Sequence, residues 1–254
     1  MQLPDSRALI VERGNKKVYD LGDRIAKVFN DTKPVSDVFN EALNLSRINE
    51  TGIASPRVLE VSEVEGEGWG LMTEKVPGQT LADKMAEDPS RFYEYLERFV
   101  DLQIAVHKHR SPLLPRQRDK YARMINGLED LNATQRYNLL ERLDGMERHR
   151  RVCHGDFNPT NVIVGEDGEL SICDWAHATQ GSPAADAAMT FLLFALTDKE
   201  QAQAYLELYC ERADQPMQVV RKWTSIVAAS ELARNRSDQD QEFLMGWIDV
   251  FDYQ

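Results

Sequence analysis

The run HGDFNPTN, residues 154–161, sets Asp156 and Asn161 five positions apart, and Asp174 follows thirteen positions later in ICDW. Two short β-branched runs, NVIV and ELSICDW, flank the turn signal GEDG, which is the pattern of a hairpin. Asn161 begins one strand and Asp174 ends its partner, so both side chains arrive at the same open end. Oxygen donors meeting there suit a hard cation such as magnesium, which binds one or two carboxylate or amide oxygens, keeps several waters and draws the rest from phosphates. Asp156 lies in the loop entering the hairpin, placed to face a hydroxyl beside the metal-bound phosphate and accept its proton. Any one of these residues alone reads as part of an Asx-rich turn that satisfies its own backbone. The spaced set reads as the floor of a phosphoryl-transfer site.

Such a floor needs elements to position it. Upstream, ALIVE, KKVYDL and RIAKVF are short strand-like runs punctuated by Gly14, Asn15 and Gly22, and they predict a small antiparallel sheet. From Pro34 the period changes. Val35, Val38, Phe39, Ala42, Leu45 and Ile48 recur at helical spacing, with Gly52 as a stop, which predicts one amphipathic helix. SPRVLEVSEVE and GWGLMTEKV flank the glycine turn at Gly66 to Gly68 and complete the sheet, so a first lobe ends near Val76. Thr80 and Asp83 have the spacing of a capping box at a helix start. Beyond it most segments are helical, with Phe92 to Val106 and Tyr137 to Met146 as two clear stripes. RVCH, NVIV and ELSICDW interrupt them as short strands. The fold class expected is α+β and two-lobed, a small antiparallel β lobe over 1–76 followed by a larger mainly helical lobe over 77–254.

Composition sets the outer limits. The chain has 254 residues, 42% hydrophobic and 28% charged, which is ordinary for a globular protein with a substantial core. Thirty basic and 42 acidic residues give a formal charge of -12, which argues against a nucleic-acid or anionic-membrane surface. Cys153, Cys173 and Cys210 are odd in number and lack metal-ligand spacing, so neither a disulfide framework nor zinc is expected. No secretory pattern opens the chain, and AAMTFLLFAL is too short to span a bilayer; the expected compartment is the cytoplasm. His107 and His109 fall on different sides of a helix and make no metal pair. In SDQDQEFLMGWIDVFDYQ, the spacing of Phe243, Trp247 and Phe251 predicts an amphipathic helix with a solvated acidic side.

Taken together, these motifs resemble the aminoglycoside phosphotransferase and choline kinase family, relatives of the protein kinases with a protein-kinase-like fold. HGDFNPTN is similar to its catalytic loop, with Asp156 and Asn161 at matching positions, and ICDW to its metal segment, with Asp174 as the magnesium aspartate. The resemblance runs from about Val11 to about Leu196. It implies that Lys27 contacts the nucleotide phosphates and that Glu41 is its helix partner, a counter-charge fixing a flexible ammonium. It further implies phosphate contacts from backbone near Gly14 and Asn15, purine contacts from backbone near Glu74 and Val76, a loop-shaping role for His154, and a helix aspartate, Asp186, holding the loop backbone. The sequence departs from the protein kinases, having no Arg after His154 and no Gly after Trp175. It departs from the family where Ala176 and Ser182 stand at usually acidic positions. The resemblance implies a small-molecule kinase, cofactors Mg2+ and ATP or GTP, and a small hydroxylated acceptor. The alternatives are a kinase-like nucleotide-binding protein without turnover and, less favoured by these motifs, a protein kinase.

Overall fold

The structure, a computed structural model, describes residues 1–234 and 237–248. In chain order, β1 (Ala8–Arg13), β2 (Lys16–Asp20) and β3 (Arg24–Phe29) lead into α1 (Val35–Asn49), then β4 (Val58–Val64), β5 (Gly68–Glu74), β6 (Gln79–Thr80) and α2 (Leu81–Glu87). α3 (Phe92–Lys108), α4 (Gln117–Gly127), α5 (Ala133–Gly145) and β7 (Arg151–Cys153) follow. Next come β8 (Val162–Val164), β9 (Leu170–Ile172) and β10 (Thr179–Gly181). The described chain closes with α6 (Pro183–Ala195), α7 (Lys199–Arg212), α8 (Met217–Arg221), α9 (Thr224–Leu232) and α10 (Asp238–Ile248).

These elements form two compact units, Met1–Asp88 with Pro159–His177, and Pro89–Asn158 with Ala178–Gln254. That differs from a single division at residue 76. The reason is local pairing: Gln79 lies opposite Val164 and Thr80 opposite Ile163, so β6 draws the hairpin of β8 and β9 into the first unit. Gly78 makes this approach possible, because at φ 140 its built Cβ would stand 2.2 Å from the carbonyl oxygen of Val164.

The first unit has a five-stranded antiparallel sheet in the order β1-β2-β3-β5-β4. Phe29, Val38, Ala42 and Leu71 pack together where α1 meets the sheet. α1 buries a stripe displaced from its hydrophobic pattern: Val38, Glu41, Ala42, Asn44, Leu45 and Ile48 are inside, whereas Val35 and Phe39 are 40% and 47% exposed. Phe39 instead lies against Trp69, ring centroids 5.2 Å apart. Thr80 caps α2 by accepting from the Asp83 amide at 3.0 Å. The reciprocal half of a capping box is replaced by a bond from the Thr80 hydroxyl to Asp83 Oδ2 at 2.6 Å.

In the second unit, α6 is apolar around nearly its whole circumference and correspondingly buried, the pattern of a central helix. Its Phe194 meets Phe99 and Tyr205, and Phe99 meets Phe157 with centroids 4.5 Å apart. β7 pairs with β10 in a two-stranded antiparallel sheet. α10 carries the stripe expected at the C-terminal end, Phe243 and Trp247 meeting at 6.3 Å; Phe251 lies outside the described residues. Among the described residues, no helix is long and apolar enough to cross a membrane, and all three cysteines are free thiols.

Candidate active site

The hairpin register is Val162 with Ile172, Ile163 with Ser171 and Val164 with Leu170. Its open end is tied by the Cys173 amide, which donates to the Asn161 carbonyl at 2.9 Å, so the residues bearing Asn161 and Asp174 are neighbours there. Asp174 has φ 59. For a side chain other than glycine that left-handed conformation costs about 1–2 kcal/mol, though Asp and Asn tolerate it best. Strain of this kind aims the carboxylate rather than stabilising the turn.

Both Asp174 oxygens are gripped by ammonium groups. Lys27 Nζ is 3.1 Å from Oδ1 and Lys16 Nζ 3.1 Å from Oδ2. Lys27 also donates to Glu41 Oε1 at 2.7 Å, and Glu41 is only 4% exposed on the inner face of α1. Burial alone would discharge these groups, pulling the lysine down and pushing the carboxyl up. The ion pairs win: Lys27 is raised by Asp174 and Glu41, while Asp174 is drawn well below the usual carboxylate range by Lys27 and Lys16. Two carboxylates, Asp174 and Glu41, and two ammonium groups, Lys16 and Lys27, thus balance in charge at the hairpin end.

Lys16 was not foreseen. It follows the β1–β2 turn in KKVYD, where nothing in residue type separates it from Lys17, which pairs with exposed Glu12 at 3.2 Å. The usable signal was strand alternation, since successive side chains point to opposite faces. Gly14 and Asn15 form that turn, and their carbonyls are held by Asn30 at 2.8 and 3.2 Å. Glu74 ends β5; its amide donates to the Arg57 carbonyl at 2.9 Å and its carboxylate is forked by Arg57. The Glu74 N–H is therefore committed within the sheet. Val76 lies just beyond, half-buried.

Within the second unit the loop bearing Asp156 is anchored from below. Asp186, in the first turn of α6 and 1% exposed, accepts from the amides of His154 at 3.1 Å and Gly155 at 2.7 Å. Its Oδ2 also meets His107 Nε2 at 3.0 Å, and His107 Nδ1 meets the Tyr209 hydroxyl at 3.2 Å. That pattern assigns Nε2–H as donor to the carboxylate and Tyr209 as donor to Nδ1. His154 Nδ1 in turn accepts from the Asp156 amide at 3.2 Å. The expected loop-holding role of Asp186 and loop-shaping role of His154 are thus visible as hydrogen bonds.

His107, Cys153 and Asp186 also lie close enough together to hold a metal. The bonds just described occupy the Asp186 oxygens and His107, burial holds Cys153 far up as a thiol, and its Sγ donates to the Ser182 carbonyl at 3.4 Å. The trio is a hydrogen-bonded core. Ser182 makes no side-chain cap to α6; its amide is taken by Gln117 Oε1 at 2.9 Å. Ala176 is held through its backbone, its carbonyl accepting from Asn44 at 3.4 Å.

Replacing Asp186 with Asn leaves one acceptor oxygen for two loop amides and sets an NH2 group among the donors, a loss of about 1–3 kcal/mol for each donor left unsatisfied. Burial favours the neutral acid, but the bonds to His107 and Gly155 outweigh it and hold this carboxyl below its ordinary 3.8. Its contribution is therefore complete above that value and fades as pH falls through the lower folded-state value. Urea unfolding between neutral and acid pH is expected to show a large deficit for D186N at neutral pH that narrows on acidification. A constant deficit would remove the ionised carboxylate from the account.

The profile of the phosphotransferase enzyme family matches residues 11–223, and the chain belongs to that family. It is a phosphotransferase with an alcohol group as acceptor. Among solved structures, aminoglycoside phosphotransferase APH(4)-Ia superposes with a TM-score of 0.72 at 16% identity, covering 97% of this chain and 92% of its own. Aminoglycoside-3'-phosphotransferase of type VIII gives 0.64 at 20% identity, covering 89% and 94%. APH(3'')-Id from Streptomyces rimosus gives 0.63 at 21%, covering 88% and 92%. These likenesses establish the protein-kinase-like fold. No curated protein sequence matches the chain.

Proposed function

We propose that this phosphotransferase passes the γ-phosphoryl group of ATP or GTP to a hydroxyl of a small metabolite or antibiotic, as a cytoplasmic small-molecule kinase. The observation that carries the reading is the Asp174 carboxylate held between Lys16 and Lys27, with Lys27 fixed by buried Glu41. Asp174 and Asn161 would hold Mg2+, which neutralises phosphate charge and orients the transferring group. Lys27, steadied by Glu41, lies beside the phosphates, and Lys16 adds a second ammonium from the hairpin that includes Gly14 and Asn15. Purine contacts fall to backbone atoms of Glu74 and Val76; for Glu74 the carbonyl serves, its N–H being used by Arg57. Asp156 orients the acceptor hydroxyl and takes its proton as the new P–O bond forms. Relatives solved with ADP and hygromycin B, and with ADP and streptomycin, support both the donor and the acceptor class.

The test is ADP release from MgATP and MgGTP with aminoglycosides, choline-like amines, sugars and amino sugars as acceptors. Acceptor-dependent release with a phosphorylated product supports the reading. A melting temperature raised by MgATP, with no product from any acceptor, would instead indicate a nucleotide-binding protein without turnover. Transfer to generic protein acceptors would indicate a protein kinase.

A further inference from the structure

Arg234 lies two residues beyond α9, with its amide still donating to the Glu231 carbonyl at 3.0 Å. Its side chain turns to the loop carrying Asp156. Nη2 donates to the Gly155 carbonyl at 2.8 Å, and Nη1 stands 3.6 Å from Asp156 Oδ1 and 2.9 Å from Glu231 Oε1. The contact with Glu231 is an ion pair rather than an aligned hydrogen bond. Arg234 is 15% exposed at its side chain and Glu231 0%. Arg234 Nε has no hydrogen-bond partner among the described residues.

For folding alone this is a poor arrangement. A buried guanidinium with an unsatisfied N–H, set against a fully buried carboxylate, is commonly matched or bettered by an apolar pair of the same shape. An apolar pair cannot supply a permanent positive charge beside Asp156, nor a donor to the Gly155 carbonyl. Gly155 has φ 76, so the loop turns through a conformation that most residues avoid, and its amide and carbonyl are pinned from opposite sides. Asp186 takes the amide and Arg234 the carbonyl.

Arg234 stands against the Asp156 carboxylate, and Lys120 from α4 feels the charges of Arg234, Glu231, Asp156 and Asp186 together. Lys120 cannot stand in for Arg234. Burial and the nearby guanidinium bring its pKa down to about 7, so it is charged only part of the time near neutrality, whereas arginine stays protonated.

We infer that Arg234 is a positioning residue for phosphoryl transfer, fixing the Gly155–Asp156 peptide and orienting the Asp156 carboxylate, with Glu231 holding the guanidinium in place. The inference rests on Asp156 as the residue that orients the acceptor.

The experiment uses the full chain and follows ADP release from MgATP, with the acceptor chosen by the panel above and with water alone. Arg234→Ala should lower kcat about 10- to 100-fold, the range for one charge-assisted hydrogen bond, and leave the KM for MgATP nearly unchanged. Added methylguanidinium should restore part of the lost kcat in that variant and none in the wild type. Wild-type kcat, or a fall in kcat without rescue and with a matching rise in nucleotide KM, overturns the proposal. If Arg234→Ala does not fold, Arg234→Lys decides: it keeps a charge but cannot reach the Gly155 carbonyl and Asp156 with one fork, so wild-type kcat there also overturns it. Asp156→Ala separates the two readings. Full turnover in Asp156→Ala removes the role of Asp156 itself, whereas a dead Asp156→Ala beside fully active Arg234 variants removes only that of Arg234.

Discussion

Asp156→Ala is expected to reduce kcat by about 10²–10⁴-fold, the usual contribution of a positioned base, while nucleotide affinity stays at the wild-type level. The fold should tolerate the change. Asp156 is half-buried, its loop is held through the backbone by Asp186, and Arg234 keeps Glu231 as a counter-charge when the Asp156 carboxylate is gone. Steady-state ADP release and calorimetric titration with the nucleotide would separate the two effects. Wild-type kcat would take the proton-accepting role away from this residue, and lost nucleotide affinity would move Asp156 to the phosphate side of the reaction.

The second large effect is expected at Asp174, and Asn is the informative replacement. The position has φ 59, which Asn tolerates nearly as well as Asp, so the substitution removes charge without adding much backbone strain. If Asp174 holds magnesium as proposed, the ion would compete with two ammonium groups for the carboxylate and free them for phosphate. In D174N Lys16 has lost its carboxylate partner and Lys27 keeps only Glu41. Metal-free ATP should then bind at least as tightly as before, while the gain in affinity on adding magnesium largely disappears. The loss of metal-assisted charge stabilisation, worth several kcal/mol, corresponds to a fall in kcat of about 10²–10³-fold. Titrations with and without magnesium supply the ratio that decides this; an undiminished magnesium effect would remove Asp174 from the metal site.

Much of this site was legible because the residues involved sit in local patterns. The hairpin that brings Asn161 and Asp174 together is announced by GEDG between two β-branched runs, and its observed register agrees. The strand lysine and helix glutamate, Lys27 and Glu41, were readable through family resemblance and meet at 2.7 Å. What escaped depends on contacts between distant segments. Thr179–Gly181 has a glycine and no hydrophobic run, yet forms β10 because β7 offers it a ladder. Lys16 differs from Lys17 only in the face it occupies. Arg234 follows an ordinary helix end, and only the folded chain brings it to Gly155. The hydrophobic pattern on α1 misplaced its buried face, since Glu41 and Asn44 are inside while Val35 and Phe39 are exposed, and a buried polar residue leaves no apolar signal.

The paired ammonium groups at Asp174 also bear on the protein at rest. A bare cluster of oxygen ligands would repel itself and lean on bound metal for its shape, as many calcium loops do. Here the chain supplies its own counter-ions from two neighbouring strands, so the hairpin end keeps its form through electrostatic self-sufficiency. Chelators should therefore silence such an enzyme without loosening it, leaving a reservoir of intact protein ready for the next divalent ion.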